Sequence, residues 1–345
     1  MNEPLHPSTL GEILDRTAQL YRSRFLLFLG ISFVPTGVLI ALFCAVGLVV
    51  GWWSVAGASS IAAPEGYVLV ALFAIAVTLV ALPVLMAATA LGMAALSHAA
   101  SRINLGQVTT IRDAYKSVWR RGWRYTGLYL LQILVIGGIP FAVWIALLFI
   151  TAGLAAFAGK SGAGGILGGA LFGLIMVLVI IVLIGYVFWM LLRLSLAFPA
   201  CVVEQIGAWP AIKRSSQLSN GTKGRIFVLY LLGAVLSFLL SMGITLPLTI
   251  VLALLPGMGN EQYAQTAAIV MTIIIYGASF AVQALIHPIY GISFVLFYYD
   301  QRIRMEGFDI EWMMLKAGLT PAQPLQQSVK SQLDAKPVSE TTGEL

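Results

Sequence analysis

Residues 161–192 read SGAGGILGGALFGLIMVLVIIVLIGYVFWMLL, thirty-two positions without one Asp, Glu, Lys or Arg. A helix crossing a bilayer needs about 20 predominantly apolar residues, because each adds about 1.5 Å towards a hydrocarbon core about 30 Å thick. Five further runs share this character: Phe25 to Pro64, Gly66 to Ser101, Tyr125 to Gly159, Ile226 to Asn260 and Gln262 to Tyr299. The chain therefore reads as an all-α integral membrane protein with six transmembrane helices. Composition agrees, with 59% hydrophobic residues, 10% charged residues and a mean hydropathy of +0.93, against about a quarter charged in soluble domains. No large water-soluble domain fits into what remains.

The charges that remain are sorted. Nineteen of the twenty Lys and Arg fall in the N-terminal segment, in 102–124, in 193–225 and after 300, and the opposite connections carry Lys160 alone. The positive-inside rule predicts that both termini are cytoplasmic. A net charge of +6, spread in short segments between apolar runs, points to anionic lipid headgroups and not to nucleic acid. The first 24 residues carry Glu3, Glu12, Asp15, Arg16, Arg22 and Arg24, unlike a cleaved signal peptide, so the first span is expected to persist. Tyr125, Tyr129, Tyr298, Tyr299 and tryptophans including Trp119, Trp123, Trp189 and Trp209 sit near predicted span ends, as interfacial aromatic belts do. Cys44 and Cys201 have no metal spacing and read as buried packing residues.

A pattern recurs in the basic segments: Leu10-Gly11 before Ile13 to Arg16, Leu105-Gly106 before Ile111 to Asp113, Ile206-Gly207 before Ile212 to Arg214, and finally Gly307. It predicts three hairpin pairs in a pseudo-threefold repeat of about 100 residues, each preceded by a cytoplasmic amphipathic helix. The expected units are about 8–101, 102–203 and 204–304, followed by an interfacial helix 308–317. Together they form a single transmembrane domain, 1–317, and the polar tail 318–345 is expected to be disordered.

The clearest amphipathic stretch sets Val108, Ile111, Tyr115, Val118 and Trp119 against Arg112, Lys116, Arg120 and Arg124. A helix of that pattern lies in the interface with its charges on headgroups. Arg112, Lys116, Arg120, Arg124, Lys213 and Arg214 are the candidate contacts to anionic lipid or to a membrane or cytoplasmic partner protein, although plain connector helices have the same charge pattern. Within the membrane, Gln283, His287 and Tyr290, with Tyr276, share a helical face on the sixth span and form the candidate internal polar site. Gln132, Thr89 and Thr245 are candidates to join it, and an ordinary interhelical hydrogen-bond network is the plainer account. Pro35, Pro83, Pro140, Pro199, Pro247 and Pro288 predict kinks. Gly165, Gly169 and Gly173 predict close helix packing.

Catalytic and cofactor signals are missing from the pattern. His6, His98 and His287 are scattered, no metal-ligand spacing occurs, and Gly159-Lys160-Ser161 lacks the strand and glycine spacing of a phosphate loop. No cofactor and no enzyme activity are expected.

The segments Leu10 to Arg16 with Tyr21-Arg22, Arg193 to Glu204, Ala211 to Ser215 and Tyr298 to Phe308 resemble, in order, the bacterial family named after the membrane domain of glycerophosphoryl diester phosphodiesterase. The resemblance implies a membrane module in the bacterial plasma membrane. In that family the phosphodiesterase is a separate soluble barrel whose histidines and carboxylates have no counterpart here, so no activity is implied. Two readings stay open: a non-enzymatic lipid-interacting or partner-binding module, and a transporter or permease for a small amphiphile or lipid-derived solute.

Overall fold

The computed structural model describes residues 7–56, 64–158, 163–254 and 261–316. The turn containing Lys160 and Ser161 and the tail 318–345 lie outside the described residues. Eleven helices follow in order: α1 (Leu10–Ser23), α2 (Phe25–Ala56), α3 (Pro64–Asn104), α4 (Ile111–Trp119), α5 (Gly122–Ala158), α6 (Ala163–Leu194), α7 (Ala197–Val203), α8 (Ala208–Leu218), α9 (Lys223–Leu254), α10 (Glu261–Glu306) and α11 (Phe308–Lys316). Six are long and apolar enough to cross a membrane, with mean hydropathy of the spans from 1.7 to 3.0, and strands are absent among the described residues. The chain divides into one unit of Ser8–Tyr298 and a second that includes Tyr299 onward.

Short helices start where the sequence supplies caps. Thr9 caps α1 in a reciprocal box, its backbone N–H donating to Glu12 Oε2 at 2.7 Å while the Glu12 N–H donates to Thr9 Oγ1 at 3.3 Å. Thr110 caps α4 by accepting from the Asp113 N–H at 3.2 Å. The core of the first unit lies around α3, which packs on α2, α4, α5 and α7. Its alanines Ala90, Ala94, Ala95, Ala99 and Ala100 are all buried, and such small residues let membrane helices approach closely. Pro35 of α2 fits against α3 in the same way, since a Cβ on Gly92 would come within 2.8 Å of Pro35 Cγ.

Proline chemistry explains how α4 is held. Pro35 cannot donate to the carbonyl four residues earlier, that of Ile31, and Tyr115 on α4 donates its hydroxyl to that carbonyl at 2.8 Å. Burial pushes the Tyr115 phenol well above its ordinary pKa, so it stays a donor. Ile111 sits directly over Gly30, where a Cβ would collide with it, and Ala114 and Val118 are buried. The apolar side of α4 is thus docked on protein through Ile111, Tyr115, Ala114 and Val118, where the sequence suggested the acyl boundary; Val108 and Trp119 are exposed. Tyr115→Phe keeps the ring and removes the donor, with an expected cost of about 1 kcal/mol, measurable as a lowered melting temperature in detergent.

Several sequence expectations change here. The four-residue spacing of basic side chains does not run along one helix: α4 ends at Trp119, Arg120 is its C-cap, and Arg124 belongs to α5. The recurring glycines are not equivalent, since Gly106 and Gly307 take positive φ of 77° and 65°, Gly207 is an extended N-cap with φ −70°, and Gly11 lies inside α1. Pro199 falls in the short helix α7, past the end of α6 but within the apolar stretch 173–203. Cys201 is buried as expected, but Cys44 is exposed. Tyr125, Tyr298 and Tyr299 are buried in protein, not ringed around a headgroup boundary. Among the described residues nothing comes within 4 Å of a Cβ at Gly173, so it makes no close helix contact.

In the second unit, Arg304 donates from Nε to both Asp300 oxygens at 3.0 Å, and Arg302 pairs with Glu306 at 3.0 Å. The Arg302 guanidinium also covers the Phe308 ring at 4.3 Å, across the left-handed turn at Gly307.

Candidate functional site: a basic pocket and an intramembrane cavity

The basic segments meet in the first unit. Arg225 Nη2 donates to the Ser8 carbonyl at 3.0 Å, Arg193 Nε donates to Ser216 Oγ at 2.7 Å, and Arg121 Nη1 donates to Gln205 Oε1. Arg124 Nη1 donates to the Gln205 carbonyl at 3.2 Å. Gln205 holds a positive φ of 54°, a conformation that side-chain-bearing residues rarely adopt and that surrounding contacts must maintain. Its two arginine bonds do that.

Beside Gln205 lies a cavity of about 740 Å³ lined by Arg102, Asp113, Lys116, Ser117, Arg120 and Arg121. Four cations face one carboxylate. That carboxylate is already engaged: the Thr110 hydroxyl donates to Asp113 Oδ2 at 2.6 Å, and this bond, aided by Lys116 and Arg102, holds the Asp113 pKa below the usual range. Arg102 Nε is tied to Gln107 Oε1 at 2.8 Å. Lys116 and Arg120 have no ion-pair partner within 4.0 Å among the described residues. The pocket carries surplus positive charge, and side chains of this kind can form charge-assisted hydrogen bonds to an anion such as phosphate.

Of the six basic residues singled out in the sequence, the structure brings Lys116 and Arg120 into this pocket. It adds Arg102 and Arg121, which the helical-spacing argument missed. Arg112 and Lys213 are exposed elsewhere on α4 and α8. Arg124 is spent on the Gln205 backbone, and Arg214 Nε is paired with Glu204 Oε1 at 3.0 Å. Arg124 and Arg214 are outside the pocket's lining.

A second cavity, of about 580 Å³, opens among α3, α5, α6, α7, α9 and α10. Its walls are largely Met93, Leu96, Ile133, Ile136, Leu191, Leu194, Phe198, Pro199 and Phe294, and its polar groups are Ser97, Tyr129, Gln132, Ser195, Tyr230, His287 and Tyr290. His287, Tyr290 and Gln132 are thus together. Gln283 is not: it is exposed one turn away, and Tyr276 is exposed too. Thr89 and Thr245 bond their own helices, donating to Leu85 and Ser241 carbonyls at 2.8 and 2.6 Å. Gln132 Nε2 donates to the Leu194 carbonyl at 3.0 Å, at the end of α6. Tyr230, Tyr290 and Phe294 form a ring cluster with centroids 4.8 to 6.4 Å apart, and Tyr290 lies flush on the backbone at Gly233, where a Cβ would overlap its ring.

The two linings share no residue, and buried residues lie between them on each helix, among them Ala99 and Ala100 on α3, Tyr125 and Leu128 on α5, and Cys201 and Val202 on α7. The two are separate sites.

An all-helical architecture among the described residues, with six helices long and apolar enough to cross a membrane, is that of an integral membrane protein of the helical class. Residues 29–301 match the family model described as "Domain of unknown function (DUF7847)", and the chain belongs to that family. Neither a curated protein nor a solved structure matches it.

Proposed function

We propose that this chain is a non-enzymatic, multi-pass module of the bacterial plasma membrane that binds the anionic headgroup of a lipid in the pocket between Arg102, Lys116, Arg120 and Arg121. The observation that carries this reading is the pocket's composition, four cations against one carboxylate that is already hydrogen-bonded. Both termini are cytoplasmic in this reading. The one-sided charge supports that orientation, as do the hydrogen bonds that join basic segments near Ser8, Gln205 and Ser216. The order of one short helix followed by two long ones, seen for α1 to α3, α4 to α6 and α8 to α10, supports three hairpin units. The likeness to the membrane module associated with glycerophosphoryl diester phosphodiesterase fits the same role.

The test is lipid retention. Protein extracted from phosphatidylcholine nanodiscs doped with phosphatidylglycerol is expected to keep phosphatidylglycerol preferentially in native mass spectrometry. Each cation near an anionic surface contributes about 1 kcal/mol, so Lys116→Ala with Arg120→Ala is expected to weaken that preference about thirty-fold. Arg112→Ala, outside the pocket, is expected to leave it unchanged. Equal retention by the wild type and the double variant would refute the lipid reading. Retention replaced by a co-purifying acidic polypeptide, lost in the same double variant, would move the site to a partner protein. Displacement of the lipid by inorganic phosphate at equal concentration would reduce it to a free-anion site.

A further inference from the structure

We propose that the cavity holding His287 is a binding site for an uncharged amphiphile, a hydrocarbon body ending in a hydroxyl or carbonyl group, taken up from the bilayer. This goes beyond the headgroup pocket and uses none of its residues.

The argument begins with unspent hydrogen-bonding groups. Among the described residues, no hydrogen bond reaches the His287 imidazole or the hydroxyls of Tyr129, Tyr230 and Tyr290. Polar groups at membrane depth are costly unless satisfied. Tyr115 and Tyr186, elsewhere in the bundle, do find backbone carbonyls, at 2.8 and 2.7 Å. That four groups facing one cavity find none sets this place apart from ordinary interhelical bonding.

Size and lining give the ligand class. A volume of about 580 Å³ lies within the roughly 300–1,000 Å³ of small-molecule sites, which are mostly apolar with a few convergent polar groups. Among the described residues, no Asp, Glu, Lys or Arg lines the cavity. A charged ligand would meet no opposite charge in a low-dielectric setting and would lose its hydration uncompensated. A hydroxyl or carbonyl can instead exchange hydrogen bonds with the imidazole and the phenols. Ile133 and Leu191 line the cavity and are also exposed, which puts its mouth on the apolar flank of α5 and α6, where a lipid-soluble molecule arrives.

Gly137 supplies a clean variant. It lines the cavity, and nothing stands within 4 Å of where its Cβ would be, so Gly137→Leu fills the space without a collision at the backbone. The probe is hexadecanol bearing a diazirine, cross-linked to the full chain in phosphatidylcholine nanodiscs, with labelled residues located by mass spectrometry. Labelling is expected on cavity residues and is expected to fall with excess unlabelled hexadecanol. Gly137→Leu is expected to abolish it at those residues, and His287→Ala to raise the competing concentration about five-fold, the effect of one hydrogen bond. The corresponding diazirine fatty acid, ionised at neutral pH, is expected to label poorly.

Labelling that scatters over the lipid-facing helices, resists competition or persists in Gly137→Leu would overturn the site. Equal labelling by the fatty acid would overturn the restriction to uncharged ligands. Should Gly137→Leu fail to fold, competition and His287→Ala decide the matter alone. Lys116→Ala with Arg120→Ala is expected to leave the labelling intact, so failure here and failure of the headgroup pocket are distinguishable.

Discussion

Glu204→Ala is expected to destabilise the protein by about 3 kcal/mol, read as a loss of melting temperature in detergent and of yield in the membrane. One oxygen, Oε1, accepts both from Arg214 Nε at 3.0 Å and from the Tyr298 hydroxyl at 2.6 Å. Tyr298 is fully buried, and loss of an acceptor to a buried donor costs about 1–3 kcal/mol. Arg214 and Glu204 are 25% and 20% exposed, shielded enough that removing one charge exceeds the about 1 kcal/mol ceiling of surface pairs. It stays below the roughly 3–5 kcal/mol of fully buried ones. Glu204→Gln separates the two contributions. Its amide oxygen can still accept from both donors, so about half the loss is expected. In a double-mutant cycle, Arg214→Ala is expected to cost less in the Glu204→Ala background than in the wild type. Additive costs would mean that the two side chains do not work as a unit.

That node also shows what sequence can and cannot reveal here. The spans were legible because membrane insertion depends on length and apolarity, which a one-dimensional reading measures directly. Residues 173–203, with a mean hydropathy of 3.0, could hardly be anything else. The basic pocket was half legible. Lys116 and Arg120 stood out through their four-residue spacing, but the same spacing ran on to Arg124 across a helix end at Trp119. Periodicity has no means of marking that break when the residues beyond it keep the phase. Arg102 at the end of α3, Arg121 between α4 and α5, and Gln205 after α7 are brought together only by tertiary packing. A cue was nonetheless present in the cation density of 102–124, which was counted for topology and not for a site.

The internal cavity followed a similar course. Helical spacing placed Gln283, His287 and Tyr290 on one face, and two of the three line the cavity. Spacing fixes the direction in which a side chain points, but not the depth at which neighbouring helices pack against it. Gln283 is exposed for that reason, one turn from where the walls close. Tyr129 and Tyr230 lay on other helices, and Tyr129 matched the pattern of an interfacial belt. Glu204 and Arg214 pair across ten residues and the turn at Gln205, a juxtaposition that neither helical spacing nor the sorting of charge registers.

Two glycines of this cavity are expected to respond oppositely to one substitution, and Gly291→Leu should be the more damaging. A Cβ on Gly291 would stand 2.7 Å from Leu96 Cγ, and Leu96 is itself 1% exposed. Close-packed interiors transmit such overlap instead of absorbing it. Leu96 also borders the cavity, so the overlap is relieved either by Leu96 leaving its rotamer and turning into that space or by α3 and α10 separating. Overpacking of this kind costs about 1–3 kcal/mol for modest additions, and a whole leucine side chain against a buried neighbour is expected to reach about 3 kcal/mol or more. Gly137→Leu adds the same atoms where the Cβ position is open, and is expected to leave the melting temperature unchanged or to raise it. Thermal unfolding of the two variants in one detergent makes the comparison. If both melt with the wild type, α3 and α10 do not pack as closely at Gly291 as described. If both melt equally early, the space beside Gly137 is not open, and the cavity that the ligand proposal needs is lost with it.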